Sequence, residues 1–412
     1  MMEIFSKLKR LRRVVTISLL VLYVLSFFGT AAGFGATRTE EITSLIGAND
    51  SLLVVDPDGG TLISKNDTKK LIPASILKIF TSLTAIYYLG HGHHYQTEFF
   101  IGNNSNLKIK GFGDPLLISE IVREISRLLA ALLGQSSIIN DLIVDDSYFN
   151  QPLTIPGISL SSQPYDAPNG ALCVNFNTVF YKRTRSGYIS AESQTPLLPF
   201  AEKKISNRKL NAGRIVLSHA ENENTVYAGK LFEYFLKQAG VELSGNVKIG
   251  KVNYAHDRLI FRYTSRFNLT QIIAKLLEHS NNFTTNQLLI SAGIKAFGPP
   301  GNLAKGVEAA VAYASRELAI DDMTIVEGSG ISRQNRVTAQ QMMRVLEAFE
   351  PNFVLLRQQG RDFYKTGTLH GINTRAGYIT SQNGGRYRYV VMINTLGKST
   401  KLIMRHLLQF LE

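Results

Sequence analysis

A serine and a lysine stand three residues apart in Leu71-Ile-Pro-Ala-Ser-Ile-Leu-Lys-Ile-Phe80. A serine hydroxyl becomes a nucleophile when a base takes its proton, and a lysine amine can be that base. The pair opens an apolar stretch. Ile76, Leu77, Ile79, Phe80 and Leu83 form one stripe of a helix that starts at Pro73 and stops at Gly90. Positions i and i+3 are neighbours on a helix, so the Lys78 amine reaches the Ser75 hydroxyl. The helix start adds partial positive charge beside the attacking oxygen. Downstream, Ser280-Asn-Asn282 falls between two apolar helical stretches, and Lys365-Thr-Gly-Thr368 lies on a predicted strand. Ser-x-x-Lys recurs at Ser206-Asn-Arg-Lys209 in a charged, polar stretch, and Ser-x-Asn recurs at Ser244-Gly-Asn246. Lys-Thr-Gly occurs once.

These residues sit in a chain of 412 residues, long enough for two or three domains with their own cores. With 44% hydrophobic and 19% charged residues it is a globular protein, not a disordered one. The single cysteine, Cys173, excludes an intrachain disulfide framework and a cysteine-rich metal site. Lys7, Lys9, Arg10, Arg12 and Arg13 precede an uncharged apolar run over 14–36 that ends in small residues. That pattern addresses the chain for export, either as a cleaved signal or as a retained anchor. The formal net charge of +13 suits anionic envelope material. No nucleic-acid motif accompanies it, and export argues against that partner.

The elements that must position the three groups can be read in order. Strands over 51–55 and 61–64, joined by Asp56-Pro-Asp-Gly-Gly60, predict a hairpin ahead of the Ser75 helix. His91, His93 and His94 form a short cluster without nearby carboxylates or cysteines, which points to solvated loop residues before a zinc site. From 97 to 265 the pattern mixes short strands (107–111, 141–144, 174–184, 188–192, 245–252) with helices at 118–133 and 229–240. Helices are predicted over 270–279, 283–296, 303–318 and 339–349, the last capped by Thr338. Strands over 362–369, 374–380 and 386–395 and a helix over 400–411 close the chain. Hairpins near both ends predict one antiparallel sheet built from both termini.

The order Ser75-x-x-Lys78, Ser280-x-Asn282, Lys365-Thr-Gly-Thr368 is the motif set of penicillin-binding proteins and serine β-lactamases. The chain resembles the low-molecular-mass class C penicillin-binding proteins, the D-alanyl-D-alanine carboxypeptidase/endopeptidase family. Further stretches carry the likeness: Lys110-Gly-Phe-Gly-Asp-Pro-Leu116, Val144-Asp-Asp-Ser-Tyr-Phe149, Tyr165-Asp-Ala-Pro168, Glu327-Gly-Ser-Gly-Ile-Ser-Arg333 and Lys365-Thr-Gly-Thr-Leu-His-Gly371 followed by Ala376-Gly-Tyr378. Lys78 and Ser280 stand about half the chain apart, as in that family, whose catalytic domain is split by an insertion. The sequence departs from the family in having no tryptophan, and in Thr285-Asn286 where an Ala-Glu pair is usual.

The resemblance implies an α+β fold: an antiparallel sheet with helices, split by a large mixed insertion. The export segment would cover 1–36, the catalytic domain 37–96 and 266–412, and the insert 97–265. Within the insert, 97–172 and 225–265 would form a second domain and 173–224 a third. It implies that Ser75 attacks the terminal D-Ala-D-Ala bond while Lys78 takes the serine proton. Ser280 would relay a proton to the leaving amine, and Asn282 would hold Lys78 and the substrate amide. Lys365, Thr366, Gly367 and Thr368 would bind the substrate carboxylate, with the backbone N–H groups of Ser75 and Thr368 as oxyanion hole. No cofactor or metal is implied. The partners would be peptidoglycan peptides, β-lactams as covalent inhibitors, and the envelope, in the periplasm or on the outer face of the cytoplasmic membrane. Gly328, Ser329 and Arg333 read as structural residues of the cleft wall. A β-lactamase and a catalytically inactive envelope-binding protein of the same fold remain the alternatives. The balance of carboxypeptidase and endopeptidase activity stays open.

Overall fold

The computed structural model describes residues 38–134, 138–206, 211–382 and 384–411, so the predicted export segment lies outside the described residues. The frame is a six-stranded antiparallel sheet. Its order is Arg357–Gln359, Asp362–Leu369, Ile372–Thr380, Arg386–Ile393, Asp50–Val55, Thr61–Lys65. The predicted union of both ends of the chain is the pairing of Asp50 with Ile393 through Val55 with Arg388. Leu53 and Val55 enter the large core beneath the central helices. Leu52 and Val54, on the opposite face, pack with Ile42, Ile403, Met404 and Leu407 of the two terminal helices. A strand covered on both faces explains why Ser51-Leu-Leu-Val-Val55 is apolar without alternation.

The central helix, Leu77–Leu89, follows a 3-10 turn over Ala74–Ile76 and ends at Gly90, whose φ is 83°. It is buried almost all round, not along one stripe. Thr81, Ser82 and Thr84 are buried as deeply as Ile79 and Phe80. Two of those hydroxyls are satisfied within the helix, Ser82 donating to the Lys78 carbonyl (2.7 Å) and Thr84 to the Phe80 carbonyl (3.1 Å), while Thr81 donates to the Gly328 carbonyl (2.7 Å). Lys78 is therefore carried into the interior by a helix with no solvent face at that point.

From this helix the chain leaves along His94–Ile101 and returns along Arg258–Asn268, two strands paired with each other. Between them lies a five-stranded mixed sheet, ordered Val247–Ile249, Leu142–Asp145, Leu107–Gly111, His94–Ile101, Arg258–Asn268. Helices Ser119–Leu133 and Glu223–Gln238 share its core. A smaller antiparallel sheet of Gly187–Ser190, Thr178–Thr184 and Ala212–Val216 belongs to the same core. Two predicted starts move. The helix expected from Gly229 begins at Glu223, and Gly229 sits inside it because a Cβ there would lie 2.5 Å from Val247 Cγ1. The strand expected from 174 begins at Thr178, because Asn175, Phe176 and Asn177 turn with φ of 50°, 59° and 54°.

Candidate active site

Three parts of the chain meet at the start of the central helix. The first is the 3-10 turn, where half-buried Ser75 follows Ala74, a residue held at φ 48°. Such a conformation costs a non-glycine residue energy and persists where its surroundings enforce it. Thr374 supplies part of that enforcement, donating its hydroxyl to the Pro73 carbonyl at 2.7 Å. The second part is the turn between helices Leu269–His279 and Asn282–Phe297. Ser280 closes the first in the left-handed region (φ 54°), and Asn281 caps the second through the Thr284 N–H. The third is the strand Asp362–Leu369. Its neighbour Arg357–Gln359 pairs only with Asp362, Phe363 and Tyr364, so the edge from Lys365 onward stays open. Gly367 brings that edge against the turn: a Cβ on it would stand 2.6 Å from the Ser75 nitrogen.

The Lys78 Nζ is the hub. It lies 2.9 Å from Ser75 Oγ, 2.8 Å from Asn282 Oδ1 and 2.6 Å from the Ser329 carbonyl. Lys78 is fully buried, and burial holds its pKa well below the ordinary lysine value. The nearby charge of Lys365 pushes the same way, and Glu327 opposes both. Lys365 Nζ donates to Ser280 Oγ (2.8 Å) and to the Thr366 carbonyl (2.8 Å). Its own burial lowers its pKa to about 8. Asn282 is held from its other side, where Nδ2 donates to the Tyr165 carbonyl at 3.2 Å, a contact from the inserted part. Thr366 and Thr368 alternate with Lys365 and Gly367 and are exposed beside the cleft. Ser75, Lys78 and Asn282 thus form one hydrogen-bonded group and Ser280 and Lys365 a second, the Lys365 charge acting on Lys78; Thr366 joins the second through its carbonyl, while the Thr366 and Thr368 side chains border both.

Glu327 was not singled out by its sequence context, yet it organises the loop that reaches Lys78. It is fully buried. Its Oε2 accepts from the Ser329 N–H (2.6 Å) and hydroxyl (2.7 Å) and from Asn286 Nδ2 (3.3 Å). Its Oε1 accepts from the N–H groups of Gly330 (2.7 Å) and Ser332 (3.2 Å) and from Asn335 Nδ2 (2.7 Å). The loop so folded aims the Ser329 carbonyl at Lys78, and Gly330, at φ 80°, passes where any Cβ would strike the Ala74 carbonyl. Asn286, one of the departures from the family pattern, accepts from the Gly328 N–H at 2.8 Å. An acidic residue inside a Gly-Ser-Gly loop after the apolar Ile325-Val326 was the available signal. Of the histidine cluster, His91 and His94 are exposed, as expected of solvated residues, with His91 Nδ1 3.1 Å from Thr270 Oγ1 and His94 Nδ1 2.7 Å from the Ser265 carbonyl. Among the described residues no three His, Cys, Asp or Glu side chains are grouped to hold a metal, and no helix is long and apolar enough to cross a membrane.

Residues 36–214 and 209–359 match the family described as D-Ala-D-Ala carboxypeptidase 3 (S13). The chain is similar to the D-alanyl-D-alanine carboxypeptidase of Actinomadura sp. (strain R39), with 25% identity over 91% of this chain and 85% of that one. Among solved structures, penicillin binding protein 4 (dacB) of Haemophilus influenzae superimposes with a TM-score of 0.72 at 18% identity, covering 87% of this chain and 94% of its own. A penicillin G acylated predatory endopeptidase from Bdellovibrio bacteriovorus, in complex with its immunity protein, gives 0.52 at 15% identity, covering 88% and 91%.

Proposed function

The chain belongs to the D-Ala-D-Ala carboxypeptidase 3 (S13) family and is a serine-type D-Ala-D-Ala carboxypeptidase of the low-molecular-mass class C penicillin-binding proteins; we propose that Ser75 is its nucleophile and Lys78 the base. The observation that carries these roles is the set of neighbours around Lys78 Nζ. A neutral amine has two N–H donors and one lone pair. Asn282 Oδ1 and the Ser329 carbonyl can only accept, so they take the two N–H groups. The lone pair is left for the third neighbour, the Ser75 hydroxyl. Burial and Lys365 favour that neutral state.

Ser75 Oγ then attacks the carbonyl carbon of the D-Ala-D-Ala peptide bond as its proton passes to Lys78. The oxyanion falls to the backbone N–H groups of Ser75 and Thr368, donors of a kind worth about 3–4 kcal/mol each in acyl transfer. Lys365, donating to Ser280 Oγ, leaves the Ser280 proton free to go to the leaving amine, which departs as D-alanine, and Ser280 is reprotonated by the proton that Lys78 took from Ser75, so that Lys78 is neutral again. The Lys365 charge, with Thr366 and Thr368 exposed beside it, receives the substrate carboxylate, and Gly367 lets the strand come this close. The open edge after Tyr364 suits an extended peptide laid antiparallel to it. Water hydrolyses the ester and restores Ser75.

The substrate is a peptidoglycan stem peptide, and a β-lactam would be attacked in the same way and remain as an ester. We place the chain outside the cytoplasm, in the periplasm or on the outer face of the cytoplasmic membrane, on the strength of its basic and apolar first 36 residues. We divide it into a catalytic part (37–96 and 266–412) and an insert (97–265) with a smaller domain at 173–224. The test is labelling with a fluorescent penicillin, followed by intact mass. Wild type acquires one stable adduct and Ser75→Ala acquires none. Labelling that survives Ser75→Ala overturns the assignment, and rapid loss of the wild-type adduct would identify a β-lactamase. Parallel assays on a D-Ala-D-Ala pentapeptide and on a cross-linked dimer measure carboxypeptidase and endopeptidase activity separately.

A further inference from the structure

One short segment of the insert, 157–166, reaches two of the groups around Lys78. At its end the Tyr165 carbonyl accepts from Asn282 Nδ2 at 3.2 Å. At its start Gly157, at φ 93°, lies against the loop that follows Glu327: a Cβ there would stand 2.6 Å from Ser332 Cα. Tyr165 does not hold its own carbonyl in place, because its side chain is 54% exposed. The next residue, Asp166, is fully buried. Asp166 Oδ1 accepts the Ser159 N–H (3.1 Å), and Oδ2 accepts the Ser159 and Ser161 hydroxyls (2.6 and 2.5 Å). Ser161 Oγ in turn accepts the Gln163 N–H (3.0 Å), and the Asp166 N–H closes on the Gln163 carbonyl (2.9 Å). The segment is thus folded back on one buried carboxylate. Val216 backs it by donating its N–H to the Ser162 carbonyl at 3.0 Å, and His219 Nε2 lies 2.7 Å from the Ser161 carbonyl.

An amide presents an oxygen at one end and an NH2 group at the other, and the two ends have nearly the same shape. Asn282 therefore needs a neighbour that tells them apart. A carbonyl only accepts, so Tyr165 draws the Nδ2 end and turns Oδ1 to Lys78 Nζ. The reversed amide would set Oδ1 against the Tyr165 carbonyl, two acceptors with no proton between them. It would also aim N–H groups at Lys78, where they would compete with the Ser75 hydroxyl for the lone pair of the amine.

We propose that Asp166 is a positioning residue for the reaction: by folding 159–166 it aims the Tyr165 carbonyl, and so selects the end of Asn282 that meets Lys78. The proposal rests on the assignment of Lys78 as base, and it gives the insert a part in the chemistry. Asp166 bonds to none of the reacting groups and works by geometry. Its effect should therefore survive exchange for a residue that keeps the same bonds. Asparagine does so, since its Oδ1 takes the Ser159 N–H and its NH2 group donates to the Ser159 and Ser161 oxygens. Alanine keeps none of them.

The test compares the full chain with its Asp166→Ala and Asp166→Asn variants for penicillin acylation and for D-alanine release across pH 4–10. Asp166→Ala should acylate about tenfold more slowly, the worth of one hydrogen bond lost from the reacting geometry, and Asp166→Asn should restore the rate to within about threefold of wild type. The acid limb of kcat/KM separates positioning from a merely structural role. Protonated Lys78 has three hydrogens for three acceptors, Ser75 Oγ, Asn282 Oδ1 and the Ser329 carbonyl. Losing Asn282 Oδ1 disfavours that form, so the limb should move to lower pH by about one unit in Asp166→Ala. Lys365 and Glu327, the charges that act on Lys78, stay in place. If Asp166→Ala does not fold, Ser159→Ala combined with Ser161→Ala keeps the carboxylate, removes its hydroxyl donors, and should show the same slowing and the same shift. Acylation at the wild-type rate, slowed acylation with an unmoved limb, or an Asp166→Asn variant as slow as Asp166→Ala would overturn the proposal. Lys78→Ala separates it from the reading on which it rests. Acylation that survives Lys78→Ala ends the base assignment and this proposal together, whereas an inactive Lys78→Ala beside an unaffected Asp166→Ala ends this proposal alone.

Discussion

Replacing Glu327 by glutamine tests how the loop governs Lys78, because it removes a charge and half of an acceptor set while keeping the volume. Each carboxylate oxygen takes three donors, so whichever way the glutamine amide turns, three of them meet an NH2 group instead of an acceptor. Leaving a buried donor without an acceptor costs about 1–3 kcal/mol. Shared solvent and partial relaxation should bring the total to about 3–5 kcal/mol, a large part of a typical unfolding free energy. The electrostatic consequence has a definite sign. The negative charge of Glu327 raises the Lys78 pKa against burial and Lys365. Without it the pKa falls further, and the neutral amine is populated at lower pH. The acid limb of kcat/KM, which rises as Lys78 loses its proton, should therefore move to lower pH in Glu327→Gln. Urea unfolding measures the first effect, and D-alanine release across pH 4–10 measures the second. An unfolding free energy within about 0.5 kcal/mol of wild type, or an acid limb that stays put or moves upward, would refute the reasoning.

Two further outcomes follow from the same geometry. Lys365 must be charged to receive a carboxylate, and its pKa is lowered to about 8, so kcat/KM should fall as pH rises through about 8. A profile flat to pH 10 would remove Lys365 from substrate binding. Gly367→Ala sets a methyl group 2.6 Å from the Ser75 nitrogen, overpacking of a kind that costs about 1–3 kcal/mol. Acylation by penicillin should slow at least tenfold, and labelling at the wild-type rate would mean that this strand does not press on the Ser75 turn.

The sequence made the frame legible where a local pattern has one physical solution. The strand over 362–369 and the helix over 303–318 end where periodicity and punctuation placed them, and Thr338 caps its helix with the Gln341 side chain returning the bond. The pairing of the first strand with the last followed from two hairpins that each needed a partner. Boundaries failed where a residue's usual meaning was overridden. Gly229 reads as a helix start but serves a close approach of helix to sheet. Asn175, Phe176 and Asn177 read as a strand but take left-handed turns, which Asn tolerates well and Phe adopts only when its surroundings compel it.

For the site, residue types and spacing identify Ser75, Lys78, Ser280, Asn282 and Lys365, because the side chains themselves make those contacts. They do not reveal the contacts that decide the protonation state of Lys78. Two of the polar partners that bracket the base function we propose for it are main-chain carbonyls: Ser329 acts on Lys78 directly and Tyr165 acts through Asn282. Any amino acid supplies a carbonyl, so no motif records either. What does constrain the sequence lies one step back, in the groups that can only be satisfied if the carbonyl points the right way. Glu327 fits that description, since its six donors are met only when the 328–332 loop folds over the central helix. Lys78 then finds an acceptor that cannot donate, which forces its lone pair toward Ser75. On the mechanism we propose, the nucleophile is thus set up by a carboxylate that never touches it, and the effect depends on the helix being buried all round, since water at Lys78 would offer both donors and acceptors and erase the direction.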